Sequence, residues 1–340
     1  MAIPEKIIDF EAHYLDKEIF AMMQGRKDPP YYHPDTKLFV TATDLPDDAV
    51  LAMDPSRLLD VDEGRIAAMD EAGISVQILS STIPLESCFS PGEATAQMAG
   101  INTRLAEIVA RHPNRYRGIA SLSPHDPAKA AVELRRCVKE LGFVGWHLHS
   151  HIADAGVPYA DHEKYLPIWE AAAELDIYVY IHPSPPSLPA LHGYGYELFG
   201  SPFGFAIDAS ICMARLLLSG LFERFPTLKV MQGHLGEAFP LLVERMDHQI
   251  ATKAIFYKLP KLPGDYWRNN VWCSTSGCYS PDAFTMLRSQ MSLDHVVLGS
   301  DYPYENPADS TKYLTELPLT ENERANIGYR SGAALGIRLE

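Results

Sequence analysis

Residues 7–14 read Ile-Ile-Asp-Phe-Glu-Ala-His-Tyr, an apolar run that turns polar at its end. Seven further runs rich in apolar or β-branched residues follow, and helical patterns separate them, which is typical of a parallel sheet built from βαβ units. The eight predicted strands are 7–13, 75–81, 117–123, 144–150, 177–182, 229–234, 271–276 and 295–301. The clearest predicted helices are 62–71, 94–111, 127–141, 163–174, 206–222, 238–250 and 281–289.

The end of the first strand distinguishes two candidate folds. An open, doubly wound sheet that binds a dinucleotide carries a glycine-rich turn after its first strand, but residues 11–14 contain no glycine. Eight strand–helix repeats in one chain of 340 residues instead fit a closed barrel. We therefore predict an α/β fold, a (β/α)8 TIM barrel. It spans residues 1–340 as a single catalytic domain, with insertions at about 16–59 and 184–205 over the active site.

Charge and composition limit the partners of the chain. Lys and Arg number 29 against 44 Asp and Glu, which gives a net charge of −15 with no basic patch. This charge argues against nucleic acid or an anionic membrane as a partner. We see no secretory signal and no apolar run of membrane-spanning length, so we expect a soluble, cytoplasmic protein. The five cysteines lie mostly in apolar segments, which indicates reduced thiols.

Two polar residues end the first strand. Side chains at positions i and i+2 of a strand share one side, so Glu11 and His13 are both expected to face the barrel interior. Taken alone, this pair is better explained as a salt bridge near the N-terminus. Its interpretation depends on which residues end the other strands.

Further candidate ligands end the fifth, sixth and eighth strands. His182 precedes a proline that stops its strand, and Asp301 ends the eighth strand. His234 lies between glycines that permit a tight turn, and Glu237 follows one turn later, where it could orient the imidazole. These strand ends meet at the catalytic face of a barrel, so we expect a metal site there. A set of carboxylates and imidazoles suits manganese or zinc but not calcium.

A long ordered pattern runs from Asp208 to His248. It comprises Arg215, residues 216–220, Phe-Glu-Arg-Phe-Pro at 222–226, Gly-His-Leu-Gly-Glu at 233–237 and Arg-Met-Asp-His at 245–248. Together with the strand-end residues, the pattern resembles the amidohydrolase-related branch of the amidohydrolase superfamily. That branch contains aminocarboxymuconate semialdehyde decarboxylase and the metal-dependent aromatic acid decarboxylases, such as gamma-resorcylate decarboxylase. The resemblance covers nearly the whole chain.

The resemblance implies one divalent cation, Mn²⁺ or Zn²⁺, held by Glu11, His182 and Asp301. His13 is retained from the wider superfamily as a further ligand. The usual His-x-His of the superfamily is Glu11-Ala12-His13 here, a departure that favours the decarboxylase branch over the ordinary hydrolases. The resemblance also implies a homodimer or homotetramer.

The same resemblance implies roles for residues around the metal. His234, supported by Glu237, and Asp301 are expected to be catalytic. Arg245 is expected to receive a substrate carboxylate or to stabilise His234. Tyr304 is expected to stack on the substrate.

The fourth strand differs from the pattern of the relatives. His149 lies where they carry a polar residue such as Asn, and we expect it to contact the substrate. His147, His149 and His151 alternate along this strand, which suggests a second metal site. Ordinary polar side chains are the better interpretation of His147 and His151. The aromatic segment around Phe203 suits a flat substrate or a neighbouring subunit.

Three functions are compatible with these residues. The leading hypothesis is reversible, non-oxidative decarboxylation of a hydroxylated aromatic or muconate-like carboxylic acid, with Asp301, or less favourably His234, as the proton donor. The alternative is a metal-dependent hydrolase of a lactone, ester or amide. A barrel without activity that serves as a scaffold is the third possibility, but every position of the pattern holds a residue able to perform the chemistry.

Overall fold

The computed structural model describes residues 3–28, 31–40, 50–52, 54–81, 83–84, 89–152, 159–184, 186 and 188–339. The strands are β1 Ile8–Tyr14, β2 Tyr31–His33, β3 Leu38–Val40, β4 Val50–Ala52, β5 Val76–Ser81, β6 Tyr116–Gly118, β7 Ala120–Ser121, β8 Gly145–His149, β9 Tyr178–His182, β10 Lys229–Gln232, β11 Val271–Ser274 and β12 Val296–Val297. The helices are α1 Lys17–Gln24, α2 Ser56–Leu59, α3 Glu63–Ala72, α4 Pro91–Arg111, α5 Pro127–Lys139, α6 Leu166–Glu174, α7 Tyr196–Phe199, α8 Gly204–Leu218, α9 Leu221–Arg224, α10 Phe239–Lys253, α11 Pro263–Asn270, α12 Pro281–Gln290, α13 Pro307–Glu316 and α14 Glu321–Ala325.

Parallel strands form a closed ring. β1 pairs with β5 and β5 with β6, while β7 to β12 pair in sequence order. β6 and β7 are two halves of one strand separated by Ile119, whose N–H donates to the carbonyl of Leu79 at 3.2 Å. The first and last strands are joined because the N–H of Phe10 donates to Leu298 O at 2.9 Å and the N–H of Asp301 to Glu11 O at 2.8 Å. The predicted (β/α)8 barrel is confirmed.

A β-bulge in β1 determines which of its side chains face the interior. Asp9 pairs with Gln77 and Ala12 with Leu79, so β1 holds one residue more than β5 between these pairs. A bulge reverses the alternation of side chains along a strand. Ile8 and Phe10 accordingly lie in the inner apolar cluster, whereas Ala12 and Tyr14 lie in the outer one. Beyond the bulge, the side chains of Glu11 and His13 face inward.

Two apolar clusters stabilise the barrel. The inner cluster contains side chains from the strands, such as Ile8 and Tyr178, together with Leu335 and Ile337 from the C-terminal segment. The outer cluster lies between the strands and the surrounding helices and includes Trp169 and Trp267. Burial of this apolar surface is the main favourable contribution to folding.

The two predicted insertions contain secondary structure that the sequence patterns did not reveal. The first holds α1 and the antiparallel sheet of β2, β3 and β4. The second holds α7 and a 3-10 turn at Pro189–Leu191. α11, α13 and α14 were also not predicted, whereas the predicted helix 206–222 is divided into α8 and α9 at Gly220, whose φ is +82°.

One helical stretch is long and apolar enough to cross a membrane by length and composition alone. It runs from Tyr196 to Leu218 and spans α7 and α8. The expectation that no run reaches this length is therefore wrong for this stretch. In the structure, α8 buries Asp208, Cys212 and Leu216, as a core helix does.

The cysteines that the structure describes are free thiols. Cys137, Cys212 and Cys273 are buried, and Cys278 is half-buried. This agrees with the prediction of reduced cysteines, and Cys88 lies outside the described residues.

Candidate metal centre

Polar side chains from four strand ends converge at the C-terminal mouth of the barrel. Oxygen or nitrogen atoms of His13, His182 and Asp301 lie within 4.8 Å of one another, and so do those of Glu11, His234 and Asp301. The two groups share Asp301. The structure thus brings together every metal ligand that the sequence predicts.

The backbone at this mouth adopts uncommon conformations. Residues His234, Leu235, Glu237 and Asp301 have φ values of 53°, 55°, 56° and 59°. Non-glycine residues rarely occupy this left-handed region, and when they do, they cluster at functional sites. β10 ends at Gln232 instead of the predicted His234 because Gly233 leads into a 3-10 turn at His234–Gly236.

His13 links the second and eighth strands. Its Nε2 lies 3.0 Å from Oδ1 of Asp301, and its Nδ1 lies 2.9 Å from the hydroxyl oxygen of Ser80. Burial raises the pKa of Asp301, but hydrogen bonds from His13 and His234 outweigh it and hold that pKa at about 2. Asp301 is therefore an anion over the physiological pH range, as a metal ligand must be.

His182 is held in one tautomer. Its Nδ1–H donates to the carbonyl of Pro183 at 2.6 Å, which leaves Nε2 as the acceptor on the opposite edge of the ring. Burial lowers the pKa of His182 well below its usual value, so its imidazole is neutral. A neutral imidazole anchored through its second nitrogen is the usual form of a metal ligand.

Three hydroxyl groups fix the Glu11 carboxylate. The hydroxyl of Tyr180 donates to Oε1, and those of Ser274 and Ser276 donate to Oε2. The carboxylate is fully buried. A side chain at Gly233 would place its Cβ only 2.8 Å from Oε1, so this glycine makes room for Glu11. Because Oε1 accepts only one of these three hydrogen bonds, its second lone pair can bind a cation.

The sequence analysis did not identify these three hydroxyl residues. Tyr180 lies two residues before His182 and thus faces the same side of β9, so strand alternation could have found it. Ser274 and Ser276 alternate at the end of the seventh strand in the same way. Isolated serines and tyrosines carry too little chemical specificity to stand out in one sequence.

His234 lies between carboxylates. Its Nδ1 is 3.2 Å from Glu237 Oε1, and its Nε2 is 3.6 Å from Asp301 Oδ2. Burial lowers the pKa of His234, but the charges of Glu237 and Glu11 more than offset this and raise that pKa well above its usual value. The imidazole is thus positively charged and can donate a proton. The expected support of His234 by Glu237 is present.

Two histidines of β8 also face the interior. The rings of His147 and His149 lie 4.7 Å apart, and His147 lies 5.2 Å from the ring of His182. His147 is thus buried beside the candidate metal ligand His182, while its interpretation as an ordinary polar residue stays a prediction. His151 lies apart from them and hydrogen-bonds to Ser184 at 2.8 Å.

Only some of the predicted substrate contacts lie beside this cluster. The ring of Tyr304 is 5.7 Å from that of His13, and His149 is 6.0 Å from His182. Phe203 lies at the start of α8 and is half-exposed. Arg245 is exposed on α10, whose buried face is formed by Phe239, Pro240 and Val243. Arg245 does not contact His234, because the side chain of Arg245 points away from the barrel.

The arrangement fits a divalent cation. Its donors are carboxylate oxygens and imidazole nitrogens, they come from several strands of a rigid barrel, and further hydrogen bonds orient them. A closed barrel that gathers such donors at its C-terminal mouth defines a metal-dependent (β/α)8 enzyme. The chain belongs to the amidohydrolase family, whose model, described as Amidohydrolase, matches residues 8–330.

Individual relatives indicate which members of this class the chain is similar to. Gamma-resorcylate decarboxylase of Polaromonas sp. (strain JS666 / ATCC BAA-500) is 35% identical over 287 residues, which cover 81% of this chain and 86% of that protein. The crystal structure of a dihydroxybenzoic acid decarboxylase from Polaromonas sp. JS666, with bound manganese and the inhibitor 2-nitroresorcinol, superposes with a TM-score of 0.84 at 31% identity, covering 97% of both chains. That of 5-carboxyvanillate decarboxylase from Sphingomonas paucimobilis has a TM-score of 0.84 at 28% identity, covering 97% of this chain and 98% of that one.

Proposed function

We propose that the chain is a metal-dependent, non-oxidative decarboxylase of hydroxylated aromatic carboxylic acids. The observation that carries the proposal is the pocket itself, which combines the Glu-x-His pair of the first strand with His182, His234 and Asp301. Curated relatives with 33–35% identity over most of the chain are gamma-resorcylate decarboxylases. They support a carboxy-lyase more than a hydrolase.

We assign the cation to Glu11, His13, His182 and Asp301. Manganese is the first choice because two of the four ligands are carboxylates, which are hard donors that suit this ion. A similar structure also contains manganese. When bound, a divalent cation would supply positive charge that orients the substrate's carboxylate and neighbouring phenolic oxygen.

The protein's own groups then move the proton. His234 and Asp301 form a pair with Nε2 and Oδ2 3.6 Å apart, and Glu237 holds the other side of the imidazole. We assign the proton transfer to this pair. The proton adds to the ring carbon that bears the carboxylate, and the bond to the carboxylate then breaks. Its electron pair restores the aromatic ring as carbon dioxide leaves.

The substrate lies between aromatic and imidazole groups in this proposal. Tyr304 and His149 flank the cluster from different strands and can contact a flat ring. We assign no substrate contact within one chain to Arg245 or Phe203, since both are turned toward solvent.

The test is metal analysis of the purified protein followed by carbon dioxide release from ortho-hydroxybenzoates, catechol carboxylates and muconate-like acids. We expect release that depends on about one ion per chain and that is abolished in Asp301→Asn. Incorporation of labelled bicarbonate into the phenol would separate a decarboxylase from a hydrolase, which has no use for it. Full turnover by Asp301→Asn with its metal retained would contradict the assignment.

We also propose a cytoplasmic homodimer or homotetramer that binds neither nucleic acid nor membranes. The net charge of −15 supports the second part. Exposed apolar side chains support self-association, since Ile255 and Phe256 are 85% and 84% exposed beyond the end of α10. Light scattering coupled to size-exclusion chromatography would test the oligomer, and a monomer at micromolar concentration would contradict it.

A further inference from the structure

The carboxylate of Asp9 is fully buried in the wall of the barrel. Its side chain faces the outer side of β1, because the neighbouring Ile8 and Phe10 fill the inner apolar cluster. Its Oδ1 accepts hydrogen bonds from the N–H of Ser300 at 2.8 Å and from that of Glu11 at 3.2 Å, and its Oδ2 accepts one from the Ser300 hydroxyl at 2.5 Å. One side chain thus holds a metal ligand of β1 and the residue directly before the ligand of the eighth strand.

The hydrogen bond to Glu11 lies within the β-bulge of β1. The bulge falls between the pairs that Asp9 and Ala12 make with β5, and beyond it Glu11 and His13 face inward. A bulge disrupts the ladder locally, so a backbone group there needs another partner. The carboxylate of Asp9 is that partner for the N–H of Glu11. It therefore stabilises the backbone arrangement that places two metal ligands inside the barrel.

A buried amide and a buried guanidinium extend the contacts of Asp9. Nε2 of Gln77 donates to Oδ2 of Asp9 at 3.0 Å, and Nη1 of Arg65 donates to Oε1 of Gln77 at 3.4 Å. Nη2 of Arg65 donates to the carbonyl oxygen of His13 at 2.6 Å. Asp9, Gln77 and Arg65 are fully buried, so water does not replace a hydrogen bond that is lost among them. These side chains together connect the backbones of both ligands of β1 to the eighth strand.

We propose that Asp9 is a positioning residue that holds the metal ligands of the first and eighth strands at the spacing that one cation requires. The inference rests on the proposed metal site, and it assigns Asp9 no contact with the ion or the substrate. Asp9→Asn places a donor N–H group opposite the donor N–H of Gln77, so the hydrogen bonds around position 9 no longer match. Metal affinity should fall about tenfold, as for other groups that orient metal ligands.

Isothermal titration calorimetry with Mn²⁺ and urea unfolding of the metal-free protein test the proposal together. We expect folded Asp9→Asn to bind Mn²⁺ about tenfold more weakly than the native chain. Adding Gln77→Glu should restore most of this affinity, because the new carboxylate accepts hydrogen bonds from the introduced amide and from Arg65. A residue that only supports the fold would lower the free energy of unfolding and leave the affinity of the folded protein unchanged.

Glu133→Gln is the matched control. Glu133 is another buried carboxylate, but its hydrogen bonds come from Asn102, Arg136 and Cys137 and not from a strand that carries a metal ligand. Its substitution should lower stability and leave manganese affinity unchanged.

Three outcomes would contradict the proposal in different ways. Native affinity in Asp9→Asn overturns it, and so does an equal loss of affinity in Glu133→Gln. If Asp9→Asn does not fold, Ser300→Ala removes only the hydroxyl donor to Asp9, and native affinity in that variant overturns the proposal. Absence of manganese binding by the native chain overturns the proposed function as well, whereas the other outcomes leave the proposed function standing.

Discussion

The hydroxyl group of Tyr180 is predicted to tune the metal affinity of Glu11. Its hydrogen bond to Oε1 orients a carboxylate that has no access to water. We expect Tyr180→Phe to weaken Mn²⁺ binding by roughly 10- to 100-fold, because groups that orient a ligand carry that much of the affinity. Isothermal titration calorimetry of the metal-free protein would measure the change.

A matched control lies on the same strand. Tyr178 is equally buried, and its hydroxyl has no hydrogen-bond partner among the described residues. Tyr178→Phe should therefore leave the manganese affinity unchanged. Equal weakening by both substitutions would indicate that the loss comes from packing and not from the bond to Glu11.

Glu237 is predicted to set the pH dependence of His234. Burial lowers the pKa of this imidazole, and the negative charge of Glu237 is the largest of the effects that raise it. Glu237→Gln removes that charge, so the pKa of His234 falls and its protonated form is lost at lower pH. We expect kcat to drop by roughly 10- to 100-fold, as for other orienting carboxylates. The alkaline limb of its pH profile should move to lower pH.

The metal content serves as the control for this variant. Glu237 is not among the assigned ligands, so Glu237→Gln should bind manganese like the native chain. A lower kcat with an unshifted pH profile would assign Glu237 a purely structural role.

At the scale of secondary structure, a buried hydrogen-bond network connects α4, α5 and β7. The amide of Asn102 donates to the carbonyl of Ser121 at 2.9 Å and to Glu133 Oε1 at 2.8 Å. Burial raises the pKa of Glu133, but hydrogen bonds from Arg136, Asn102 and Cys137 outweigh it and lower that pKa below its usual value. The ionised carboxylate thus stabilises the packing of both helices on the barrel.

We expect Glu133→Gln to reduce the free energy of unfolding by about 1–3 kcal/mol at pH 7, because charged hydrogen bonds are lost in a nearly dry site. A carboxyl group whose pKa is lower in the folded state stabilises the protein fully above its unfolded-state pKa, which is about 4.3 for Glu. This stabilisation is lost as the pH falls through the folded-state pKa. The two proteins should therefore converge in stability only once the pH has fallen through the lowered folded-state pKa of Glu133. Urea unfolding over this pH range measures the difference. The exposed Glu140→Gln serves as the control.

Sequence patterns predicted the repeating elements better than the irregular ones. The eight strand positions follow from apolar runs, and Pro183 marks the end of the fifth strand, whereas the sixth strand ends two residues before the predicted His234. The bulge in β1 leaves no sequence signal, because the pairing register depends on β5. The exposure of Arg245 was also not predicted, since the sequence of one helix does not determine how that helix is oriented on the barrel.

At the scale of the whole molecule, the polar cluster of the candidate metal centre and the inner apolar cluster lie at opposite ends of the barrel. The polar cluster lies at the C-terminal ends of the strands, whereas Leu335 and Ile337 join the inner apolar cluster with residues such as Ile8 and Tyr178 at the strand starts. In TIM barrels, the C-terminal face carries the chemistry and the N-terminal face carries stability. Substitutions at the N-terminal end of the barrel should therefore leave metal binding intact.

Ile337→Ala tests this separation. Ile337 is 2% exposed, so the substitution leaves a cavity, and we expect a loss of about 2–5 kcal/mol in the free energy of unfolding. Manganese affinity and kcat should remain within about twofold of the native values, since rigid packed strands lie between the two ends. Val132→Ala, at a site that is 67% exposed on α5, is the control and should change stability by less than about 0.5 kcal/mol. Parallel losses of stability and metal affinity in Ile337→Ala would mean that the inner apolar cluster helps to position the ligands, because the barrel would then transmit the disturbance along its whole length.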